Sequence, residues 1–188
     1  MKTIFSILLI CILAGGQLKG QTSGNCVTDA ILSGYSVRNY TSEPVTDRQL
    51  DIILKCGIKA PSAMNRQPWK FTVIRDESTM KEIIDAVVPG NVLIVISGVE
   101  AQKDGSTPAF DCGLATHSLF VAAEGLGLGA RIYGNPVAKV TSNREVYEIP
   151  EGYKPVIVLR IGNIDKSVDA VSAASARKAS EEVVNFKK

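Results

Sequence analysis

Ala60-Pro61-Ser62-Ala63-Met64-Asn65-Arg66-Gln67-Pro68-Trp69-Lys70-Phe71 is the stretch from which the rest of the chain can be read. Pro61 disfavours helical geometry in the residue before it, so a helix arriving from the N-terminal side must stop near Ala60. Such a helix is legible upstream. Thr46-Asp47-Arg48-Gln49 has the form of a capping box, and Leu50, Ile53, Leu54 and Ile58 recur at helical spacing. Downstream, Phe71-Thr72-Val73-Ile74 reads as a strand. The stretch is therefore a helix-to-strand connection carrying Ser, Asn, Arg and Gln side chains between two fixed ends.

Working outward, Thr28–Ser33 reads as a short helix and Thr79-x-x-Glu82 as the opening of another. Val92-Leu93-Ile94-Val95-Ile96 is a continuous apolar run, the pattern of a strand buried on both faces. Pro108–Gly125 is a long apolar helix, Ala130–Tyr133 a short strand, Val137–Val146 a helix and Pro155–Ile161 a further apolar strand. Strands interspersed with helices give an α+β or α/β class. No internal repeat and no linker divides the chain. The reading is one domain over residues 21–188, with residues 163–188 as a polar C-terminal arm that has no core of its own and lies against something else, such as a second subunit.

Composition excludes several functions. The 188 residues hold 21 Lys plus Arg against 19 Asp plus Glu, with no basic block, which argues against nucleic acid as a main partner. The single histidine, His117, excludes metal sites that need two imidazoles. Its place among Leu114, Leu119 and Phe120 predicts a partly buried structural role. No serine sits in a G-x-S-x-G elbow, so hydrolase chemistry has no support.

Met1-Lys2-Thr3, the apolar run Ile4–Ala14 and the small-residue zone after it form a secretory signal, too short for a spanning helix. Cleavage after Gly16 or Gly20 is the expectation, with an exported, periplasmic or extracellular protein and no stable membrane span as the result. Ile10 is too bulky for the residue before the cysteine of a lipoprotein box, so lipidation at Cys11 is not expected. Without a twin arginine, export of an unfolded chain follows, and any cofactor is acquired outside the cytosol. Of the remaining cysteines, Cys56 and Cys112 are expected as buried small hydrophobes, and three thiols make no complete disulfide framework. Gly125-Leu126-Gly127-Leu128-Gly129-Ala130 spells a dinucleotide fingerprint but closes a helix instead of opening one, so its glycines are read as caps.

Two stretches together resemble the flavin-dependent nitroreductase family. Tyr35-Ser36-Val37-Arg38-Asn39-Tyr40 matches the family's R-R-S-x-R-x-F, and Ala60–Phe71 matches A-P-S-x-x-N-x-Q-P-W-x-F. Ala176-Arg177-Lys178-Ala179-Ser180-Glu181-Glu182-Val183-Val184 is similar to the closing R-K-x-x-E-E-V-V. Asp111-Cys112-Gly113 and Gly125–Ala130 fall where short members have a D-x-G helix and a G-L-G turn. The likeness covers about Ile31 to the end. Read singly, each residue has an ordinary structural role; their order carries the resemblance.

The resemblance implies an α+β fold with a mixed sheet flanked by helices, and a homodimer that exchanges its C-terminal arms. It implies FMN at the dimer seam and NAD(P)H as electron donor. Hydride would pass through flavin N5 to a small electron-poor acceptor, nitroaromatic or quinone, by a ping-pong mechanism without a catalytic side chain. Arg38 would face the pyrimidine edge of the flavin and stabilise its reduced, negatively charged form. Ser36 would reach the phosphate or ribityl chain, and Arg177 with Lys178 the phosphate. Pro61, Ser62, Ala63 and Asn65 would lie against the isoalloxazine ring of the other subunit, oriented by Gln67. Tyr133-Gly134 would present backbone amides to N5, the glycine permitting close approach. Two departures stand out. Gly34 and Tyr35 replace residues that are usually basic, removing a phosphate contact of about 1.5–3 kcal/mol, so FMN binds more weakly or Arg66 or Lys178 substitutes. The span from Phe71 to Asp111 is also short, leaving little room for lid helices. The alternative is a non-catalytic or weakly flavin-binding dimer of the same fold.

Overall fold

The structure, a computed structural model, describes residues 24–100, 107–168 and 176–187. The expected signal segment and its cleavage positions lie outside them. In chain order the elements are α1 (Cys26–Ser33), α2 (Asp47–Ile58), a 3-10 turn (Ala63–Asn65), β1 (Trp69–Ile74), α3 (Glu77–Ile83), β2 (Val92–Val99), α4 (Pro108–Gly125), β3 (Gly129–Tyr133), α5 (Val137–Ser142), β4 (Tyr153–Gly162) and α6 (Ser180–Val183).

The local signals act as their chemistry dictates. Thr46 and Gln49 form the reciprocal capping box of α2: the Gln49 N–H donates to Thr46 Oγ1 at 3.2 Å, and the Thr46 N–H donates to Gln49 Oε1 at 3.0 Å. The segment Gly125–Ala130 closes α4 with a Schellman motif. The Gly127 N–H bonds the Glu124 carbonyl at 2.9 Å, the Leu128 N–H reaches the Ala123 carbonyl at 3.0 Å, and Gly127 sits at φ +75°. Helix α3 begins earlier than the Thr79 signal suggested. Asp76 takes the cap instead, its carboxylate accepting the Thr79 N–H at 2.8 Å and the Thr79 hydroxyl at 2.6 Å. Helix α5 is also shorter than expected, ending at Ser142.

The four strands lie in the order β1-β2-β4-β3. All three pairings are antiparallel, so the expected mixed sheet is corrected: among the described residues its only parallel pairing is the isolated bridge between Ser36 and Ala130. The reason is connectivity. Each strand returns beside a neighbour running the other way, and no crossover joins two adjacent strands in the same direction. β2 is buried on both faces, as its apolar run required. Ile94 and Ile96 meet Ile53 of α2 and Leu119 of α4 on one face, while Leu93 and Val95 meet Met80, Val140 and Val158 on the other. Gly57 lets α2 and α4 approach: a Cβ there would stand 2.5 Å from Leu119 Cδ2.

One polar node interrupts the second face. Arg160 is 1% exposed, its Nε donates to Asn91 Oδ1 at 2.7 Å, and its guanidinium lies 4.1 Å from the centroid of the Tyr40 ring. Gly162 makes the space, since a Cβ there would meet Asn91 Nδ2 at 2.3 Å and Tyr40 Cδ1 at 2.8 Å. Burial pushes the Tyr40 phenol well above its ordinary value, partly opposed by Arg160. At the end of α4, burial raises the Glu124 carboxyl to about 7, against the lowering effect of the Ala130 N–H.

Two expectations of burial fail. Cys56 is exposed, because the apolar stripe of α2 runs through Leu50, Ile53 and Gly57 and leaves it on the flank. His117 is exposed as well, since α4 is covered on the side of Cys112, Ala115, Thr116, Leu119 and Ala123. Cys112 is buried as expected. Among the described residues no helix is long and apolar enough to cross a membrane.

Gly162→Ala is expected to cost about 1–3 kcal/mol through overpacking, whereas Gly125→Ala, with open space around it, should be neutral or stabilising; thermal unfolding of the two variants checks this. Glu124 carries a folded-state pKa above its unfolded value. Its contribution to stability is therefore full at low pH and lost as pH rises through about 7. The melting temperature of the wild type, measured relative to Glu124→Gln, should fall between pH 5 and pH 8.

Candidate active site

Residues 35–41 run beside the outer edge of β3. The Val37 N–H donates to the Ala130 carbonyl at 3.2 Å, the Tyr40 hydroxyl to the Val37 carbonyl at 3.1 Å, and the Thr41 N–H to the Asn163 carbonyl at 2.9 Å. Val37 and Tyr40 are buried anchors; Ser36 and Arg38 on either side of Val37 are exposed. The segment thus holds a hydroxyl and a guanidinium in solvent on a backbone fixed to the sheet.

The loop between α2 and β1 is built differently. Ala60 is buried where the chain leaves α2, and Trp69 is buried where it joins β1. Between them Met64, Asn65 and Gln67 adopt φ of +52°, +54° and +51°, three of the four non-glycine positive-φ residues among the described residues. Such conformations cost on the order of 1–3 kcal/mol each and persist only where the surroundings impose them. Internal bonds supply part of that constraint. The Gln67 N–H donates to Ser62 Oγ at 2.9 Å, and Gln67 Nε2 donates to Asn65 Oδ1 at 3.2 Å. Asp111 supplies an outside anchor, its Oδ1 accepting the Ala63 N–H at 3.2 Å. The Asp111 charge lies close enough to Cys112 to add to the effect of burial, which raises that thiol to about 11. Pro61, Ala63, Met64, Asn65 and Gln67 are exposed and Ser62 is half-buried.

Tyr133 ends β3, and Gly134 follows in an open turn with no atom within 4 Å of the position its Cβ would take. Among the described residues the buried Tyr133 hydroxyl finds no hydrogen-bond partner, and the Arg131 guanidinium lies 4.8 Å from its ring centroid. Arg177 and Lys178 precede α6 on the arm, where every described residue from 176 to 187 is exposed. Neither bonds the body of the chain among the described residues.

The predicted residues therefore fall into three separate groups. Ser36, Arg38, Tyr133 and Gly134 line the β3 edge. Pro61, Ser62, Ala63, Asn65 and Gln67 lead into β1, the opposite edge of the sheet. Three strand spacings, about 14 Å, separate the two edges. Arg177 and Lys178 stand on the arm. One chain does not bring the three together. Sequence reasoning quoted Asp111 without linking it to this loop, because its bond to Ala63 spans 48 positions and leaves no local signal.

The profile described as Nitroreductase family matches residues 31–91. A protein of Methanothermobacter thermautotrophicus, named "Putative NADH dehydrogenase/NAD(P)H nitroreductase", is 30% identical over 156 residues, which span 78% of this chain and 81% of that protein. The structure of an FMN-dependent nitroreductase from Clostridium difficile R20291 is 25% identical and covers 87% of this chain and 100% of its own, at a TM-score of 0.69. A nitroreductase with bound FMN from Desulfitobacterium hafniense shares the fold at a TM-score of 0.72, with 20% identity and coverage of 87% of this chain and 99% of its own. In sequence over most of its length, and in fold, this chain belongs to the nitroreductase family.

Proposed function

We propose that the chain is an FMN-dependent NAD(P)H oxidoreductase, active as a homodimer whose two sites are each completed by both subunits. The separation of the donor groups on opposite sheet edges carries this reading. A single planar ring cannot touch Ser36–Arg38 and the Pro61–Gln67 loop of the same chain across three strand spacings. A second copy can present its loop to the first copy's β3 edge. The arm supports the same arrangement, because its apolar Val183, Val184 and Phe186 are 64%, 45% and 80% exposed.

The donor set fits a phosphorylated flavin: a hydroxyl, guanidinium and ammonium groups for the phosphate and the electron-rich pyrimidine, and an open glycine turn for a flat ring. Bound there, FMN supplies acceptance of hydride from NAD(P)H and its donation to an electron-poor acceptor of the nitroaromatic or quinone class, in alternating half-reactions. Arg38 holds a permanent positive charge at the pyrimidine edge, where it favours the electron-rich form. Ser36 donates to the ribityl or phosphate oxygens. Arg177 and Lys178 of the exchanged arm close the phosphate end with charge-assisted bonds. Asn65 and Gln67 orient the loop that excludes water from one ring face, and the Tyr133–Gly134 turn offers its amides to N5. Export with loss of Met1–Gly20 belongs to the same reading, and FMN is then acquired after translocation.

Gly34 favours a second reading, a weakly flavin-binding or non-catalytic dimer. A Cβ there would lie 3.0 Å from the Ala30 carbonyl oxygen and 3.3 Å from Phe120, so the packing of α1 on α4 leaves little room for the family's usual arginine.

Anaerobic titration of the FMN-reconstituted protein decides between them. NADH should bleach the flavin absorbance stoichiometrically, and a quinone should restore it; protein that stays colourless in excess FMN sinks the first reading. Arg38→Ala is expected to weaken FMN binding about ten- to a hundred-fold, the loss of one charge-assisted bond, as read by flavin fluorescence. The mass of the protein recovered outside the cytosol should correspond to a chain beginning at Gln17 or Gln21.

A further inference from the structure

Asp111 stands in the first turn of α4 and is 3% exposed. Its carboxylate is not spent on capping its own helix: Oδ1 accepts the N–H of Ala63, 48 residues earlier. The amide it holds sits immediately before Met64 and Asn65, the first two residues of the left-handed run. The bonds from Ser62 to Gln67 and from Gln67 to Asn65 tie the loop to itself and give it its shape. They do not determine where that shape stands relative to the sheet. Buried Ala60 and Trp69 fix its two ends, and the Asp111 bond ties its middle to α4, which is packed along the sheet through Cys112, Ala115 and Leu119. Carboxylate-to-amide bonds are charge-assisted and roughly twice as strong as neutral ones. The α4 macrodipole also favours an acidic side chain in its first turn.

We infer that Asp111 is a positioning residue for the flavin: it holds the strained Pro61–Gln67 loop in the placement from which its backbone and amide side chains meet the isoalloxazine ring. The inference rests on the proposed function of that loop, and it assigns Asp111 no contact with the flavin or the substrate. Its chemistry is that of an acceptor, so asparagine, which keeps an Oδ1 at the same reach, replaces it and alanine does not.

The test compares full-length wild type, Asp111→Asn and Asp111→Ala in two measurements. The first is the FMN dissociation constant by fluorescence quenching. The second, on the flavin-free protein, is the rate of native trypsin cleavage after Arg66, which lies inside the loop, against cleavage after Arg144 as a reference outside it. Asp111→Ala should raise the dissociation constant about ten-fold or more and speed cleavage at Arg66 selectively, while Asp111→Asn stays within about three-fold of wild type in both. Equal acceleration at Arg66 and Arg144 means general loosening and overturns the inference. So does Asp111→Asn behaving like Asp111→Ala, or Asp111→Ala binding FMN as tightly as wild type. If the wild type itself binds no FMN, the flavin reading falls first and this inference with it; if wild type binds and only the variants contradict, the inference fails alone.

Discussion

A buried guanidinium holds the β3 edge of this protein, with its candidate site residues, in place. Transferring an arginine from water to the interior costs several kcal/mol unless its surroundings replace the lost hydration. Among the described residues no carboxylate pairs with Arg160. Its compensation comes from Asn91 Oδ1, which also accepts the Val88 N–H at 3.2 Å, and from the face of Tyr40. The arrangement ties three distant pieces of chain together: the turn before β2, the end of β4, and residues 36–41. Because Tyr40 is part of the node and Val37 is bonded to β3, Ser36 and Arg38 between and beside them have nowhere else to go. Arg131 stands directly opposite Arg160 in the β3–β4 register, and each stacks on its own tyrosine. Two like charges side by side are unfavourable, and the aromatic faces moderate that cost.

The parts of this fold that were legible in the sequence are those set by interactions within a few residues. The capping box at Thr46, the Pro61 stop, the both-faces-buried run of β2 and the glycine cap of α4 each depend on chemistry contained in a short window, and each stands where it was read. The start of α3 was misplaced because Asp76 and Thr79 both suit a cap, and the earlier residue captured the N–H of the later one. Cys56 and His117 are exposed because the buried face of each helix is narrower than the apolar stripe its letters spell. The direction of the strands was beyond local reading, since it depends on which neighbours pair.

At the candidate site the same division holds. The residue types of the Ala60–Phe71 stretch were legible, but its conformation was not. Neither Met64 nor Gln67 has an intrinsic preference for positive φ, and nothing in the letters announces it. The bonds that accompany this strain lie partly within the loop and partly at Asp111, which the sequence places far away. The division of the donor groups between two sheet edges was equally hidden, because it follows from strand order alone.

That division explains why so short a chain would need a second copy. With helices packed on both faces of the four-stranded sheet, the loop on one edge and the donors on the other are both left in solvent. In the proposed dimer, joining two copies edge to loop would convert two exposed surfaces into an enclosed one. It would also give the arm, with its exposed Val183, Val184 and Phe186, an apolar surface to lie on. The Gly34 departure fits this logic. A cation at position 34 would have to displace the Ala30 carbonyl and Phe120, loosening α1 from α4. Charge for a phosphate is more easily supplied from Arg177 and Lys178, which stand on a segment free of core packing. In the proposed dimer, affinity for the cofactor and affinity of one copy for the other would be coupled, since the same arm would serve both.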